Sequence, residues 1–151
     1  MATVTVEPAH PRHINRIANR MREADRIEAA AWGHTPKAAL RGSLRASTVA
    51  WTAMADGVPV AMFGVAPISA MDRLGTPWML GTDDVEAQAR AVLRLGPRFL
   101  AAIEREFPRL ENRVSADNHV SIGWLRRLGF AFDDEIVYVR GVAFRRFHKG
   151  L

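Results

Sequence analysis

The sequence predicts a single α/β domain over residues 1–151, with a mixed sheet of six to seven strands and helices on both faces. Three observations predict this class: two hairpin signals, two strand-to-helix units, and a hydrophobic fraction of 48%, enough for a core. Hairpins pair strands antiparallel, whereas a strand–helix–strand unit favours parallel neighbours. A chain that contains both is therefore expected to form a mixed sheet.

The first third predicts one strand and a helical region. Val4–Val6 alternates as a strand does. Apolar residues then recur at spacings of three and four, which predicts an amphipathic helix, split in two near Arg20: Ile14, Ile17, Met21, Ala24, Ile27 and Ala31. Gly33 is expected to end this region. Thr35–Pro36 gives a cap residue followed by proline, which predicts a further helix to about Ala46.

The middle of the chain predicts a hairpin. Strand-like segments cover Thr48–Ala55 and Val58–Ala66, and Asp56–Gly57 between them is a strong two-residue turn signal. We expect a loop over Pro67–Thr76 and a short strand at Pro77–Leu80. The predicted order is therefore two paired strands followed by a third.

A long helical pattern follows Thr82. Its apolar residues share one face: Val85, Ala89, Val92, Leu93, Phe99, Leu100, Ile103 and Phe107. Gly96–Pro97 interrupts the pattern, so a kink or two abutting helices are expected there. Pro108 ends the pattern, and Arg109–Ser115 reads as a strand.

The C-terminal part predicts a short helix and a second hairpin. Asp117 or Asn118 is expected to cap a helix that ends at Leu128–Gly129. Phe130 opens an extended stretch. The hairpin strands are predicted at Glu135–Val139 and Val142–Phe147, around the turn Arg140–Gly141.

Composition excludes several classes of function. The chain has no cysteine, which excludes disulfides, thiolate metal sites and a cysteine nucleophile. No apolar run approaches the ~20 residues of a membrane span, and the first residues do not read as a signal peptide, so a cytoplasmic protein is expected. The net charge is +5, and Lys37 and Lys149 are the only lysines. Nucleic-acid binding is possible, but the arginines are dispersed, which favours a compositional bias.

Other candidate sites have simpler interpretations. Asp117, His119 and Ser121 invite comparison with a catalytic triad, but residues this close on one helical turn more often form a capped helix start. His10 and His13 lack a nearby third ligand, so no metal site is predicted.

Acidic residues on the first helices suggest acid–base chemistry. Glu23, Asp25 and Glu28 alternate with Arg22 and Arg26, so a solvated, salt-bridged face is the default expectation. A partner-binding role for this region also stays open.

Tryptophans mark the expected core. Trp51, Trp78 and Trp124 fall on strand or helix patterns and are predicted to be buried. Trp32, next to Gly33, would mark an interface if it is exposed.

The segment from Asp117 to Phe130 resembles a family motif. Six of its residues resemble the pattern N-x-x-A-x-x-L-Y-x-x-x-G-F of the GCN5-related N-acetyltransferases (GNAT): Asn118, Ser121, Trp124, Leu128, Gly129 and Phe130. The resemblance implies a GNAT-like fold, in which the region of Glu23, Asp25 and Glu28 lines the acceptor side of the cleft. It also implies that Asn118 and Ser121 would contact acetyl-CoA if the chain is an acetyltransferase.

Two departures argue against that chemistry. The family carries a glycine-rich loop before its long helix, where backbone N–H groups hold a pyrophosphate. Here Asp83, Asp84 and Glu86 occupy the first turn, and no glycine lies between Gly81 and Gly96. Leu125 stands where the family often has a proton-donating tyrosine. The only tyrosine, Tyr138, lies in another element, and no catalytic residue is assigned.

A more specific resemblance favours a structural role. The stretches Met21–Glu28 and Trp78–Asp83, together with the C-terminal motif, resemble GNAT-like proteins of short-tailed bacteriophages, a family of internal virion or head-core proteins. The resemblance implies a virion structural or assembly protein without acetyltransferase activity or cofactor, which contacts other virion proteins or itself. It would occupy the host cytoplasm and then the virion. The alternative is an acetyl-CoA-dependent N-acetyltransferase with an atypical pyrophosphate loop.

Overall fold

A computed structural model of the protein describes residues 2–151 and shows a seven-stranded sheet in the order β1-β2-β3-β4-β5-β7-β6. The strands are β1 Val4–Pro8, β2 Val49–Ala55, β3 Val58–Ser69, β4 Leu74–Gly81, β5 Arg109–Ser115, β6 Ala131–Val139 and β7 Val142–Lys149. The helices are α1 Ile14–Asn19, α2 Glu23–Ala31, α3 Pro36–Ala46, α4 Asp84–Ala87, α5 Ala89–Glu106 and α6 His119–Arg127. The β4–β5 pair is parallel and the other neighbours are antiparallel, which confirms the predicted mixed α/β sheet.

Helices cover both faces of this sheet, as predicted. One face packs against α1 and α3 through a cluster that contains Ile14, Ile17, Met21, Leu40 and Met62. The other face packs against α5 and α6 through a larger cluster: Val65, Leu100, Ile103, Phe107, Leu110, Val114, Ile122, Phe130 and Phe147. No helix within residues 2–151 combines the length and the apolar character needed to cross a bilayer.

Turn and cap residues lie where the sequence places them. Asp56–Gly57 and Arg140–Gly141 both have positive φ at each residue, the geometry of a two-residue hairpin turn. Thr35 accepts a hydrogen bond from the N–H of Ala38 at 3.1 Å and caps α3. These local signals therefore set the ends of elements correctly.

The opening of the sheet between β4 and β5 positions the candidate site. The two strands pair at only two positions, Leu74 with Arg109 and Gly75 with Leu110. Beyond them, the side chain of Asn112 donates to the carbonyl of Pro77 at 2.7 Å. Backbone groups further along both strands must find other partners, because buried N–H and C=O groups are costly to leave unpaired.

Two sequence expectations about strand limits are wrong. The loop expected over Pro67–Thr76 is shorter, because β3 extends to Ser69 and β4 begins at Leu74. A register shift at Pro67 absorbs the missing proline N–H, so pairing resumes beyond it. The β6 strand begins at Ala131, before the predicted Glu135, and an irregularity interrupts its pairing after Phe132.

Of the two outcomes expected at Gly96–Pro97, a kink or two abutting helices, the second is wrong. The α5 helix runs through both residues, and the chain breaks earlier, at Gln88 between α4 and α5. Pro97 is exposed, so its ring meets solvent, while Leu100 and Ile103 anchor the following turn in the core. Tertiary packing therefore overrides the local cost of the proline.

Candidate active site at the opening between two strands

Two carboxylates of α2 occupy the opening between β4 and β5. Asp25 Oδ2 accepts the N–H of Gly81 at the end of β4, at 2.8 Å. Glu28 Oε1 accepts the N–H of Ser115 at the end of β5, at 2.7 Å. The α2 helix therefore satisfies backbone groups on both diverging strands.

A buried arginine connects this pair to the start of α6. Arg22 is 2% exposed, and its guanidinium donates to Asn118 Oδ1 at 2.6 Å and to Ser121 Oγ at 3.2 Å. Its charge faces Asp25 at 3.8 Å and Glu86 at 3.4 Å. A buried guanidinium is stable only when such partners surround it.

The expectation of a solvated, salt-bridged face on the first helices is therefore wrong for Arg22, Asp25 and Glu28. Asp25 and Arg22 are each 2% exposed, and Glu28 is half-buried, whereas Glu23 and Arg26 are exposed. The reason is a contact distant in sequence. The N–H of Arg22 donates to the carbonyl of Gly81 at 2.9 Å, which fixes the start of α2 against β4 and turns Asp25 inward.

Burial changes the acidity of both carboxyls. Burial, with the nearby charges of Glu28 and Glu86, raises the pKa of Asp25 to about 7, against the opposing effects of Arg22 and the N–H of Gly81. Burial likewise raises the pKa of Glu28, opposed by its hydrogen bonds from Ser115 and Asn118. A carboxyl that titrates near neutral pH can take up or release a proton in a reaction.

A cavity of about 690 Å³ passes through the opening, and Asp25, Glu28, Asn118 and Ser121 all line it. Its walls include residues of β4 with alternating orientation: Thr76, Pro77, Trp78, Met79 and Leu80. Because neighbouring residues of a strand point to opposite faces, this cavity reaches both faces of the sheet. Its volume lies within the range of small-molecule sites.

An acidic turn follows β4 at one end of the opening. Asp83 and Asp84 are exposed, and the four-residue helix α4 precedes α5. Glu86 is also exposed, although it contacts Arg22. The acidic junction identified in the sequence therefore exposes its carboxylates to solvent.

The two residues predicted to contact a coenzyme lie together. Asn118 is 4% exposed and caps α6 by accepting the N–H of Ser121 at 3.3 Å. It also donates to Glu28 Oε1 at 3.1 Å. Asp117 and His119 are exposed beside this cap, which supports a helix start rather than a triad.

Other predicted side chains lie outside this arrangement or cannot act in it. Leu125 lines the cavity, whereas Tyr138 is 72% exposed on β6. His13 is buried against Thr52, and residues 2–151 contain no group of three potential metal ligands. Trp32 is 45% exposed, so it meets the condition under which the sequence predicts an interface residue.

Sequence reasoning missed the roles of Arg22, Asp25 and Glu28. One signal was available: Asp25, Glu28 and Trp32 recur at spacings of three and four, which places them on one face of a helix. The pairing of that face with Gly81 and the end of β5 could not be found in local sequence.

Comparison with known proteins identifies the fold. No family model matches the chain, and no curated protein matches its sequence. Among solved structures, a ribosomal-protein-alanine N-acetyltransferase from Brucella melitensis aligns with TM-score 0.69 and 15% identity, over 97% of this chain and 99% of that one. An Acinetobacter baylyi putative acetyltransferase aligns with TM-score 0.73 and 14% identity, over 100% and 94%. A Vibrio cholerae spermidine N-acetyltransferase in complex with CoA and spermine gives 0.67 and 14%, over 96% and 94%. The chain therefore has the GNAT acetyltransferase fold.

Proposed function

We propose that this chain, on its GNAT fold, transfers an acetyl group from acetyl-CoA to an amine at the opening between β4 and β5. One observation carries the proposal: Asp25, whose pKa is about 7, is buried at a cavity that reaches both faces of the sheet. Two ligands can therefore approach one proton acceptor from opposite sides. The acetyltransferases with the same fold support this choice of reaction.

The residues around the cavity suit the acyl end of the donor. Acetyl-CoA, when bound, supplies a thioester carbonyl that an amine can attack. Asp25 would accept the proton that the ammonium must lose before its nitrogen can attack, and Glu28 would hold that ammonium in place. The attack would form the amide C–N bond and break the thioester C–S bond, and the coenzyme A thiolate would leave and take up a proton from solvent. Ser121 is small enough to leave space, and Leu125 and Met79 exclude water from the cavity wall.

The diphosphate end of the coenzyme fits less well. A diphosphate is favoured by free backbone N–H groups at a helix start, and here Asp83 and Asp84 place negative charge there. No contact between this turn and the diphosphate is proposed. Weak donor binding that strengthens with salt is expected, because salt screens repulsion between exposed like charges.

A second candidate function, which needs no coenzyme and is therefore compatible with the acidic turn, is that of a virion structural or assembly protein. The backbone groups at the opening are already satisfied by Asp25 and Glu28, so the scaffold requires no ligand to complete its hydrogen bonds. The exposed Trp32 would then contribute to contact with another virion protein or a second copy. The resemblance to phage GNAT-like proteins motivates this candidate.

Thermal unfolding with and without acetyl-CoA separates the two functions. A ligand that binds only the folded chain raises the melting temperature by mass action. A clear rise at micromolar acetyl-CoA supports the enzyme and contradicts a purely structural role. An unchanged melting temperature at millimolar ligand overturns the proposed acetyl transfer.

The role of Asp25 is tested by measuring thiol release from acetyl-CoA in the presence of amines. Asp25→Asn should reduce kcat/KM by roughly 100-fold or more, since a general base typically contributes at least that much. Glu23→Gln is the matched control, because Glu23 is an exposed acid on the same helix. Equal loss in both variants would remove Asp25 from the mechanism.

A further inference from the structure

We propose that the space between α2, α3 and β4 binds an amine with one positive charge and an apolar, preferably aromatic, body. This space, the α2–α3 trough, is the part of the cavity lined by Glu28, Trp32, Ala39, Gly42, Ser43 and Trp78. The proposal names the acceptor of the proposed acetyl transfer and rests on that function for its catalytic use. The binding itself is independent of any coenzyme.

Small residues keep the trough open along α3. Its cavity-lining positions recur at helical spacing and are all small: Ala38, Ala39, Gly42, Ser43 and Ala46. The larger Leu40 and Leu44 point instead to the core around Met62. A Cβ added at Gly42 would meet nothing within 4 Å, so this wall borders free space.

Flat aromatic surfaces line the trough from the other sides. Trp32 ends α2, and its ring packs against Phe144 at a centroid distance of 5.5 Å. Trp78 is fixed by a hydrogen bond from its indole N–H to Ser47 Oγ at 2.7 Å. An apolar or aromatic body gains by burial against such surfaces.

The charged side chains at the inner end of the trough, next to Arg22 and Glu28, favour a cationic ligand. Asp25 and Glu86 both face Arg22, so its single positive charge is shared between two carboxylates. Glu28 is a third acidic group, and Oε1 accepts both of its hydrogen bonds, from Ser115 and Asn118. Within residues 2–151, Oε2 of Glu28 accepts none and can receive an ammonium.

The apolar walls restrict the ligand to one charge. A second ammonium within the trough would lie against alanine and tryptophan side chains, and an uncompensated buried charge is costly. His34 and the exposed Arg113 also border the cavity, and their position disfavours a second cation. Linear polyamines are therefore expected to bind less tightly than a compact arylalkylamine.

Binding of three probes to the full chain, without coenzyme, tests the trough. We expect millimolar 2-phenylethylamine to raise the melting temperature, and we expect the uncharged analogue 2-phenylethanol and spermidine to bind at least about fivefold more weakly, a modest charge effect. Glu28→Gln keeps the acceptor for Ser115 and should erase the preference for the amine over the alcohol, whereas Glu23→Gln should retain it. Equal binding of amine and alcohol to the native chain, or tighter binding of spermidine, overturns the proposal.

A second variant covers the case in which Glu28→Gln does not fold. Gly42→Leu fills the trough from a helical position with open space and should abolish 2-phenylethylamine binding without loss of stability. Gly123→Leu on α6, which also has open space and lies outside the cavity lining, should bind the amine normally. Retained binding in Gly42→Leu contradicts this location.

The outcomes separate this proposal from acetyl transfer. Amine binding with no response to acetyl-CoA supports the trough and rejects the transferase. A response to acetyl-CoA with no preference for the amine supports the transferase and rejects the trough.

Discussion

Arg22 and Asp25 show why single buried charges depend on their partners. Each is 2% exposed, and the guanidinium links Asp25 of α2 to Asn118 and Ser121 at the start of α6. Removing one member leaves the others buried with unmatched charge, which is more costly than the net value of the pair. The network therefore responds strongly to changes of charge and protonation.

The first prediction concerns the pH dependence of stability. Because the pKa of Asp25 lies at about 7 in the folded chain and at 3.8 in the reference state, the folded state binds a proton more tightly. The stabilisation that this tighter proton binding gives the folded state is complete at pH values below the unfolded pKa. It disappears as the pH rises through the folded pKa. The unfolding free energy should fall by about 2–3 kcal/mol between pH 5 and pH 8 from this group.

Chemical denaturation at several pH values measures that slope. Asp25→Asn should flatten it, and Glu23→Gln should leave it as in the native chain. An equally steep slope in Asp25→Asn would assign the effect to other groups.

The second prediction concerns the cap of α6. Asn118→Ala removes the cap of α6, the acceptor of Arg22 and a donor to Glu28. It should lower the free energy of unfolding by about 2–4 kcal/mol. Asp117→Ala, at the exposed neighbour, should change stability by less than about 0.5 kcal/mol. Urea unfolding midpoints compare the two, and similar midpoints would contradict the role given to Asn118.

At the scale of elements, α5 separates local from tertiary control. Gly96–Pro97 predicts a kink or a division into two helices, and the division does not occur, because the apolar residues on either side share one buried face. By contrast, Gly33, Gly129 and the two hairpin turns have the positive φ that their sequences predict. Local sequence therefore predicts the ends of elements well where backbone conformation determines them. It predicts them less well where tertiary packing determines them.

The third prediction follows from Pro97. Pro97→Ala restores a helical N–H at an exposed position within α5 and should stabilise the chain by about 1–3 kcal/mol. Gly96→Ala should gain less, since its Cβ would lie 3.0 Å from Leu128 Cδ2. Thermal unfolding of both variants checks the order, and destabilisation by Pro97→Ala would indicate a bend that the core requires.

Much of the candidate site could not be predicted from sequence because its contacts join distant elements. Asn118 and Ser121 were found through a motif within one helix. Asp25 was missed as a buried group, since its partner Gly81 lies at the far end of another element. The order of elements follows from local periodicity, but which polar face turns inward depends on how those elements pack.

For the whole molecule, charge is unevenly distributed. The net charge is +5, yet the turn after β4 exposes two adjacent acids, Asp83 and Asp84. A positively charged protein attracts an anionic ligand over long range, while this turn opposes the final approach. If the chain binds acetyl-CoA as proposed, its affinity is therefore expected to depend on this turn more than on the net charge.

The fourth prediction tests that local effect. The double variant Asp83→Asn/Asp84→Asn should strengthen acetyl-CoA binding by about 3–10-fold at low salt, and less at high salt, where screening is stronger. The matched double variant Asp134→Asn/Glu135→Gln changes the net charge equally, at exposed positions on β6. Isothermal titration compares them, and equal strengthening in both would assign the effect to net charge alone.

The limited pairing of β4 with β5 also affects which part of the molecule unfolds locally. Strands β1 to β4 and strands β5 to β7 each share extensive ladders, whereas two residue pairs join the groups. The amides of Gly81 and Ser115 are held by side chains of α2 rather than by a neighbouring strand. Their deuterium exchange should therefore report the detachment of α2, at a lower free energy than global unfolding.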